Sequence, residues 1–214
     1  MLPASPETEF DAFLADVPAH PNGLAKHAAQ TVFDYFKSSP VFRWSDANND
    51  CEDRANAICL LLDEWRISNC KAWVFSGDFR KAKPGTLTNT WNYHVAAALP
   101  VQTDSGILYS VIDPATSPGL IAVDQWALQI TASGTSYHFI KPGAYYIFPA
   151  GIVLKDNWHR RNRRNHNWTM QGLSGINGVS TTGKAQLAFR KNRVKKTTEA
   201  FYKMKNNRPV FIDA

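Results

Sequence analysis

Residues 91–113 read WNYHVAAALPVQTDSGILYSVID, two apolar arms around Gln102-Thr103-Asp104-Ser105. Aromatic and β-branched content broken by one polar cluster predicts an antiparallel hairpin with arms 91–101 and 107–113. Side chains alternate along a strand. Tyr93, Val95, Ala97 and Leu99 therefore share one face, and His94, Ala96 and Ala98 share the other. A loop centred between Thr103 and Asp104 makes opposed residue numbers add to 207, which sets His94 across from Asp113. Cross-strand Cβ atoms lie roughly 5 Å apart. A three-residue loop or a bulge would move this register by one, and Pro100 is a natural place for irregularity.

Upstream, the polar run Ser45–Asp50 precedes a segment whose apolar positions Ile58, Leu61, Leu62 and Trp65 repeat at helical spacing. This predicts a helix starting near Asn49 or Asp50, with Asp53, Arg54, Asp63 and Glu64 on its other faces. A further helix is expected after an Asn22 cap, carried by Leu24, Ala28, Val32 and Phe36 and ending near Ser38-Ser39-Pro40. Residues 70–76 and 144–149 read as additional strands, and 184–205 as a basic helix. The fold class is α+β: N-terminal helices on a mostly antiparallel sheet, followed by a basic C-terminal extension. The expected organisation is a helical segment over 1–40, a core over 41–154 and the extension over 155–214.

The 214 residues are 44% hydrophobic and 20% charged, enough apolar surface for a sizeable core. No apolar run reaches the length of a spanning helix, and the N-terminus lacks the basic-then-apolar pattern of a signal peptide. Net charge is +6, unevenly placed: residues 1–154 sum to −5, residues 155–208 to +12. The basic extension interleaves with Trp158, Trp168, Phe201 and Tyr202, so a non-catalytic basic binding module, a site for an acidic partner or anionic surface, and a solvated tail all remain open. Nucleic acid is not the expected partner.

Three cysteines without a CxxC pair point away from a disulfide framework and from a zinc site; no metal or other cofactor is expected. Cys59 falls mid-helix and Cys70 opens a strand. Cys51 falls in the first turn of a helix, where free N–H groups and the helix dipole favour a thiolate and can cradle an oxyanion. By itself this is equally a cysteine that happens to lie there. Joined to His94 and Asp113 it forms a candidate Cys–His–Asp triad of thiol acyl-transfer chemistry. Trp44, Trp91 and Tyr93 are candidates for a substrate slot, or ordinary aromatic packing.

The segments RWSDANNDCEDRANAICLLLDEWRISNCKAWVFSG (43–77), NTWNYHVAAALPV (89–101) and SVIDPATSP (110–118) resemble the bacterial protein glutaminases. The resemblance covers about residues 42–150, with YYIFP near 145–149 as a further strand. It implies a papain/transglutaminase-like core that deamidates glutamine side chains of proteins, with nucleophile Cys51, base Asp-oriented His94, and orienting group Asp113. The secreted members are disulfide-rich and carry a pro-region; three cysteines and a basic tail suit instead a toxin or effector of bacterial origin delivered without a signal peptide, with an inhibitor or immunity protein as a possible partner. Transglutaminase-type transfer to an amine and papain-like proteolysis share the triad and stay open.

Overall fold

The computed structural model describes residues 23–46, 50–75, 91, 93–131, 137–142, 163–177 and 179–210. Its helices are α1 (Lys26–Ser38), α2 (Cys51–Glu64), α3 (Val123–Ile130), α4 (Arg163–Leu173) and α5 (Lys184–Asn206), with one 3-10 turn at Pro40–Phe42. The strands are β1 (Cys70–Phe75), β2 (Tyr93–Thr103), β3 (Gly106–Ile112), β4 (Ile121–Ala122) and β5 (Tyr137–Pro142). They form an antiparallel sheet in the order β4-β3-β2-β1-β5.

The hairpin at residues 93–112 forms, with its turn centred one residue later than its sequence predicts. Thr103 pairs with Gly106, so opposed numbers add to 209 and the connection is the two residues Asp104-Ser105. Gly106 takes a positive φ of 118°, and the Thr103 hydroxyl donates to its carbonyl at 2.7 Å. The slip relative to the expected register is two residues. Because the side-chain period of a strand is two, every residue keeps its expected face.

Each face of the sheet is covered. Ala97, Leu99, Val101 and Ile112 meet Val32, Phe33 and Phe36 of α1 and Ile58, Leu61 and Leu62 of α2 in the main core. On the opposite face Ala96, Ala98, Cys70, Ala72, Val74 and Val111 pack under Val123, Trp126, Ala127 and Ile130 of α3. A buried aliphatic or aromatic side chain contributes about 1.5–3 kcal/mol relative to exposure, so these two layers carry most of the stability. The run of small alanines on β2 lets both helical layers approach the sheet closely.

α1 begins at Lys26, later than the capping pattern at Asn22 suggests; residue 22 lies outside the described residues. β1 ends opposite Ala98, leaving the Pro100 carbonyl and Gln102 N–H unpaired on that side of β2. Leu24 takes that place as a parallel bridge, donating to Pro100 at 2.9 Å and accepting from Gln102 at 2.8 Å. A Cβ on Gly23 would crowd the backbone of Val101 and Gln102, which explains a glycine there.

α2 is buried nearly all round, since residues 53–62 are all buried. Asp53 and Arg54, expected on outer faces, are 6% and 4% exposed. Arg54 is covered by the Trp44–Asp46 segment, and Asp53 by α4, a helix the basic character of its sequence concealed. It presses Gly172 against Asp53, and its Thr169 hydroxyl accepts from Asn56 Nδ2 at 2.8 Å. Lys71, 1% exposed on β1, donates to Asn56 Oδ1 at 3.1 Å. The helix expected at 184–205 is α5, and its Phe201 and Met204 enter the same core as α1 and α2, as do Met170 and Leu173 of α4. The strand expected at 144–149 lies outside the described residues. Among the described residues no helix is long and apolar enough to cross a membrane.

Candidate active site

Asp50 adopts a left-handed conformation, φ 60°, and turns the chain into α2, whose first residue is Cys51. The first helical hydrogen bond runs from Arg54 N–H to the Asp50 carbonyl at 3.0 Å. The N–H groups ahead of Arg54 have no acceptor within the helix. Asn177, just past α4, donates to the Asp50 carboxylate, so the C-terminal part of the chain touches the turn that carries Cys51.

His94 and Asp113 meet in the interior. His94 is 1% exposed, Asp113 3%, and Nε2 lies 2.8 Å from Oδ2. The contact is diagonal: the observed register would put Asp113 opposite Ala96, and the imidazole spans the offset. The same Oδ2 accepts from the Thr116 hydroxyl and, at 3.2 Å, from Trp126 Nε1, while Trp126 also donates to Thr116 at 2.9 Å. Backbone N–H groups of Thr116 and Ser117 return to the Asp113 carbonyl at 3.1 and 2.9 Å. Burial alone pushes the Asp113 carboxyl up. The His94 ring, through charge and hydrogen bond, then Thr116 and Arg54, outweigh it, and the net direction is down. The imidazole is held between rings, stacked on Trp91 at 4.4 Å between centroids and tilted against Trp126 at 5.6 Å. With Nε2 committed to the carboxylate, Nδ1 is the ring nitrogen left for proton transfer.

Cys51 packs with Ala55, Trp73, Tyr93 and Val95, one residue along β2 from His94, and the Val95 backbone N–H bonds its sulfur. The thiol donates to Glu52 Oε2 at 3.2 Å. Burial, then the charge and hydrogen bond of Glu52, push the Cys51 thiol well up, against the pull of Arg54 and the Val95 N–H. Burial and Glu52 together favour the neutral form of the Cys51 thiol in this conformation.

Arg54 is a cation beside the site. Its Nη1 donates to the Asp46 carbonyl at 3.0 Å, its guanidinium lies 5.8 Å from the Trp44 ring centroid, and its buried Nη2 meets no hydrogen-bond partner among the described residues. This cation pulls Asp50, Cys51 and Asp113 toward their charged forms.

The three candidate slot residues go to different places. Trp91 is against His94. Tyr93 faces Cys51 and donates to Glu52 Oε1 at 2.8 Å. Trp44 instead closes the main core, stacked on Phe42 at 5.3 Å with Nε1 donating to the Phe36 carbonyl at 2.9 Å. Glu52, Thr116 and Trp126 were not singled out from the sequence. Trp126 sits on an amphipathic run, Val123–Ile130, that could have been read as a helix; nothing local points it at Asp113.

Among the described residues no three metal-binding side chains cluster. A cavity of about 290 Å³ is lined by Leu60, Glu64, Arg163, His166, Phe201 and Tyr202. At about 1.5 Å per helical residue it lies more than 10 Å along α2 from Cys51, separate from this chemistry.

Residues 29–130 match the sequence pattern of the family described as Glutaminase, a stretch containing Cys51, His94, Asp113 and Trp126. No curated protein matches the chain. Among solved structures it is similar to the NMR structure of protein-glutaminase from Chryseobacterium proteolyticum, with 20% identity, a TM-score of 0.53, and 75% of this chain and 91% of that one covered. It is similar also to a crystal structure of pro-protein-glutaminase, with 22% identity, a TM-score of 0.54, and coverage of 85% and 70%. A crystal structure of protein-glutaminase gives 19% identity, a TM-score of 0.52, and coverage of 77% and 93%. The chain thus shares the α+β fold of these protein-glutaminase structures.

Proposed function

We propose that this chain, a glutaminase-family protein over residues 29–130, deamidates glutamine side chains of proteins through a thioester on Cys51. The observation that carries the reading is the buried His94–Asp113 pair, with a cysteine at a helix start whose sulfur takes the N–H of Val95, the residue after His94, all within the family match. His94 Nδ1 takes the Cys51 proton, and the thiolate attacks the carboxamide carbon. First-turn N–H groups of α2 face the developing oxyanion, a contribution of about 3–4 kcal/mol in comparable sites. The carbon–nitrogen bond breaks as His94 returns its proton to the leaving nitrogen, releasing ammonia and leaving the thioester. Water, deprotonated by His94, then attacks the thioester; glutamate leaves and the thiol is restored. Asp113 holds the imidazole in the tautomer this needs. Trp91 and Tyr93 flank the site and suit the walls of a glutamine slot, whereas Trp44 is given over to the core.

The three cysteines are free thiols, which suits action inside a reducing compartment such as the cytoplasm of a target cell. That is consistent with a delivered effector. α5, with eight Lys/Arg and one Glu, suits docking to an acidic partner.

The test is intact-mass and peptide analysis of candidate proteins incubated with wild type and Cys51→Ala. Ammonia release and amide-to-acid conversion should occur with wild type and vanish in the variant while its melting curve is kept. Amine-linked dimers would identify transglutamination instead, and fragments would identify proteolysis.

A further inference from the structure

Glu52 has no task in the scheme above, yet both of its oxygens are engaged at the nucleophile. Oε2 accepts from Cys51 Sγ at 3.2 Å, and Oε1 accepts from the Tyr93 hydroxyl at 2.8 Å. Adjacent residues on a helix do not normally face each other. Here Tyr93 fixes the arrangement: it stands on β2 next to His94, its ring lies 5.7 Å from Trp73, and its hydroxyl draws the carboxylate back over the first turn. A chain from Tyr93 through Glu52 to Cys51 thus ties the strand carrying the base to the helix carrying the nucleophile.

A carboxylate at that distance opposes thiolate formation in two ways. It repels negative charge on sulfur, and it accepts the S–H bond that must otherwise be presented to the base. We propose that Glu52, anchored by Tyr93, is a positioning residue that restrains Cys51 as a thiol in the free protein, so that the nucleophile forms only when this clasp opens. The inference rests on Cys51 being the nucleophile of the proposed reaction, but its immediate readout is thiol reactivity and needs no turnover. Among the described residues, the titratable and charged groups that act on this pair or on Tyr93 are Asp50, Asp53 and Arg54 at the start of α2, with the His94–Asp113 pair beyond Arg54. Of these Arg54 acts against the clasp, and burial with the Glu52 charge pushes the Tyr93 phenol far up, so it remains a donor throughout the working range.

The experiment measures iodoacetamide alkylation of Cys51 against pH in the full chain, by mass of the modified peptide. Cys59 and Cys70, 0% and 1% exposed, serve as internal controls for folding. Glu52→Gln keeps the shape and removes the charge. Its alkylation midpoint should move to lower pH, with a neutral-pH rate about tenfold faster for each unit moved. Tyr93→Phe keeps the ring and frees the carboxylate, and should move the midpoint in the same direction by less. The acid limb of ammonia release should follow the alkylation shift. An unchanged or slower alkylation profile in Glu52→Gln, with Cys59 and Cys70 still protected, overturns the proposal. So does a shift confined to variants in which those two cysteines become reactive. If alkylation shifts as expected while wild type releases no ammonia from any protein, the clasp stands and the deamidase reading fails.

Discussion

Asp113→Ala removes the acceptor on which three donors converge. The carboxylate is 3% exposed, with His94 Nε2 at 2.8 Å, Trp126 Nε1 at 3.2 Å and the Thr116 hydroxyl on one oxygen. Trp126 and Thr116 keep each other at 2.9 Å after the change, so the group left orphaned is the His94 ring N–H. A buried donor without a partner costs about 1–3 kcal/mol, and loss of a charge-assisted bond about 1.5–3. Taking these as overlapping, and allowing for relief of a desolvated charge, the expected loss is about 3 kcal/mol. For a chain of this size that lowers Tm by about 6–12 °C, read by circular dichroism at pH 7. Asp113→Asn keeps an oxygen for His94 and should lose less stability, yet slow ammonia release by about 10²–10⁴-fold, because an amide can select the wrong imidazole tautomer. The pH dependence follows from the downward direction of the Asp113 carboxyl. Its contribution is complete above the unfolded value of about 3.9 and is lost as pH falls through the lower folded value, so wild type loses stability below about pH 4 to a degree that Asp113→Asn does not. Melting of Asp113→Ala within about 1 °C of wild type, with undiminished ammonia release, would refute the reasoning.

Two further substitutions test how α4 supports α2. Gly172→Ala should improve a helix interior by about 1 kcal/mol on propensity alone; here the new Cβ collides with the buried Asp53 carboxylate, and a net loss of about 1–3 kcal/mol is expected from overpacking, seen as a lower urea midpoint. Asn56→Ala removes an acceptor of Lys71 and the donor to Thr169, whose hydroxyl keeps its bond to the Asn165 carbonyl, and should cost about 1–3 kcal/mol with unchanged m-value.

A helix start at Cys51, a hairpin from 93 to 112 and the shared face of His94 and Asp113 were all legible in the chain, because each follows from a local rule: turn residues before an apolar repeat, or strict alternation along a strand. Alternation is robust to an even slip, which is why a register two residues from the expected one still unites His94 with Asp113. Local rules are silent on what arrives from a distance. The burial of Asp53, Arg54 and Lys71 depends on α4, the Trp44–Asp46 segment and the sheet closing around α2, and nothing in the order Cys-Glu-Asp-Arg marks which charge will lose its water. Trp126 reaches Asp113 only because β4 and α3 fold back over the alanine face of the sheet. Glu52 reaches the thiol only because β2 delivers a tyrosine hydroxyl to it. Periodicity determines which way a side chain points within its own element; the neighbour it meets, and hence its protonation, is decided by how the elements pack.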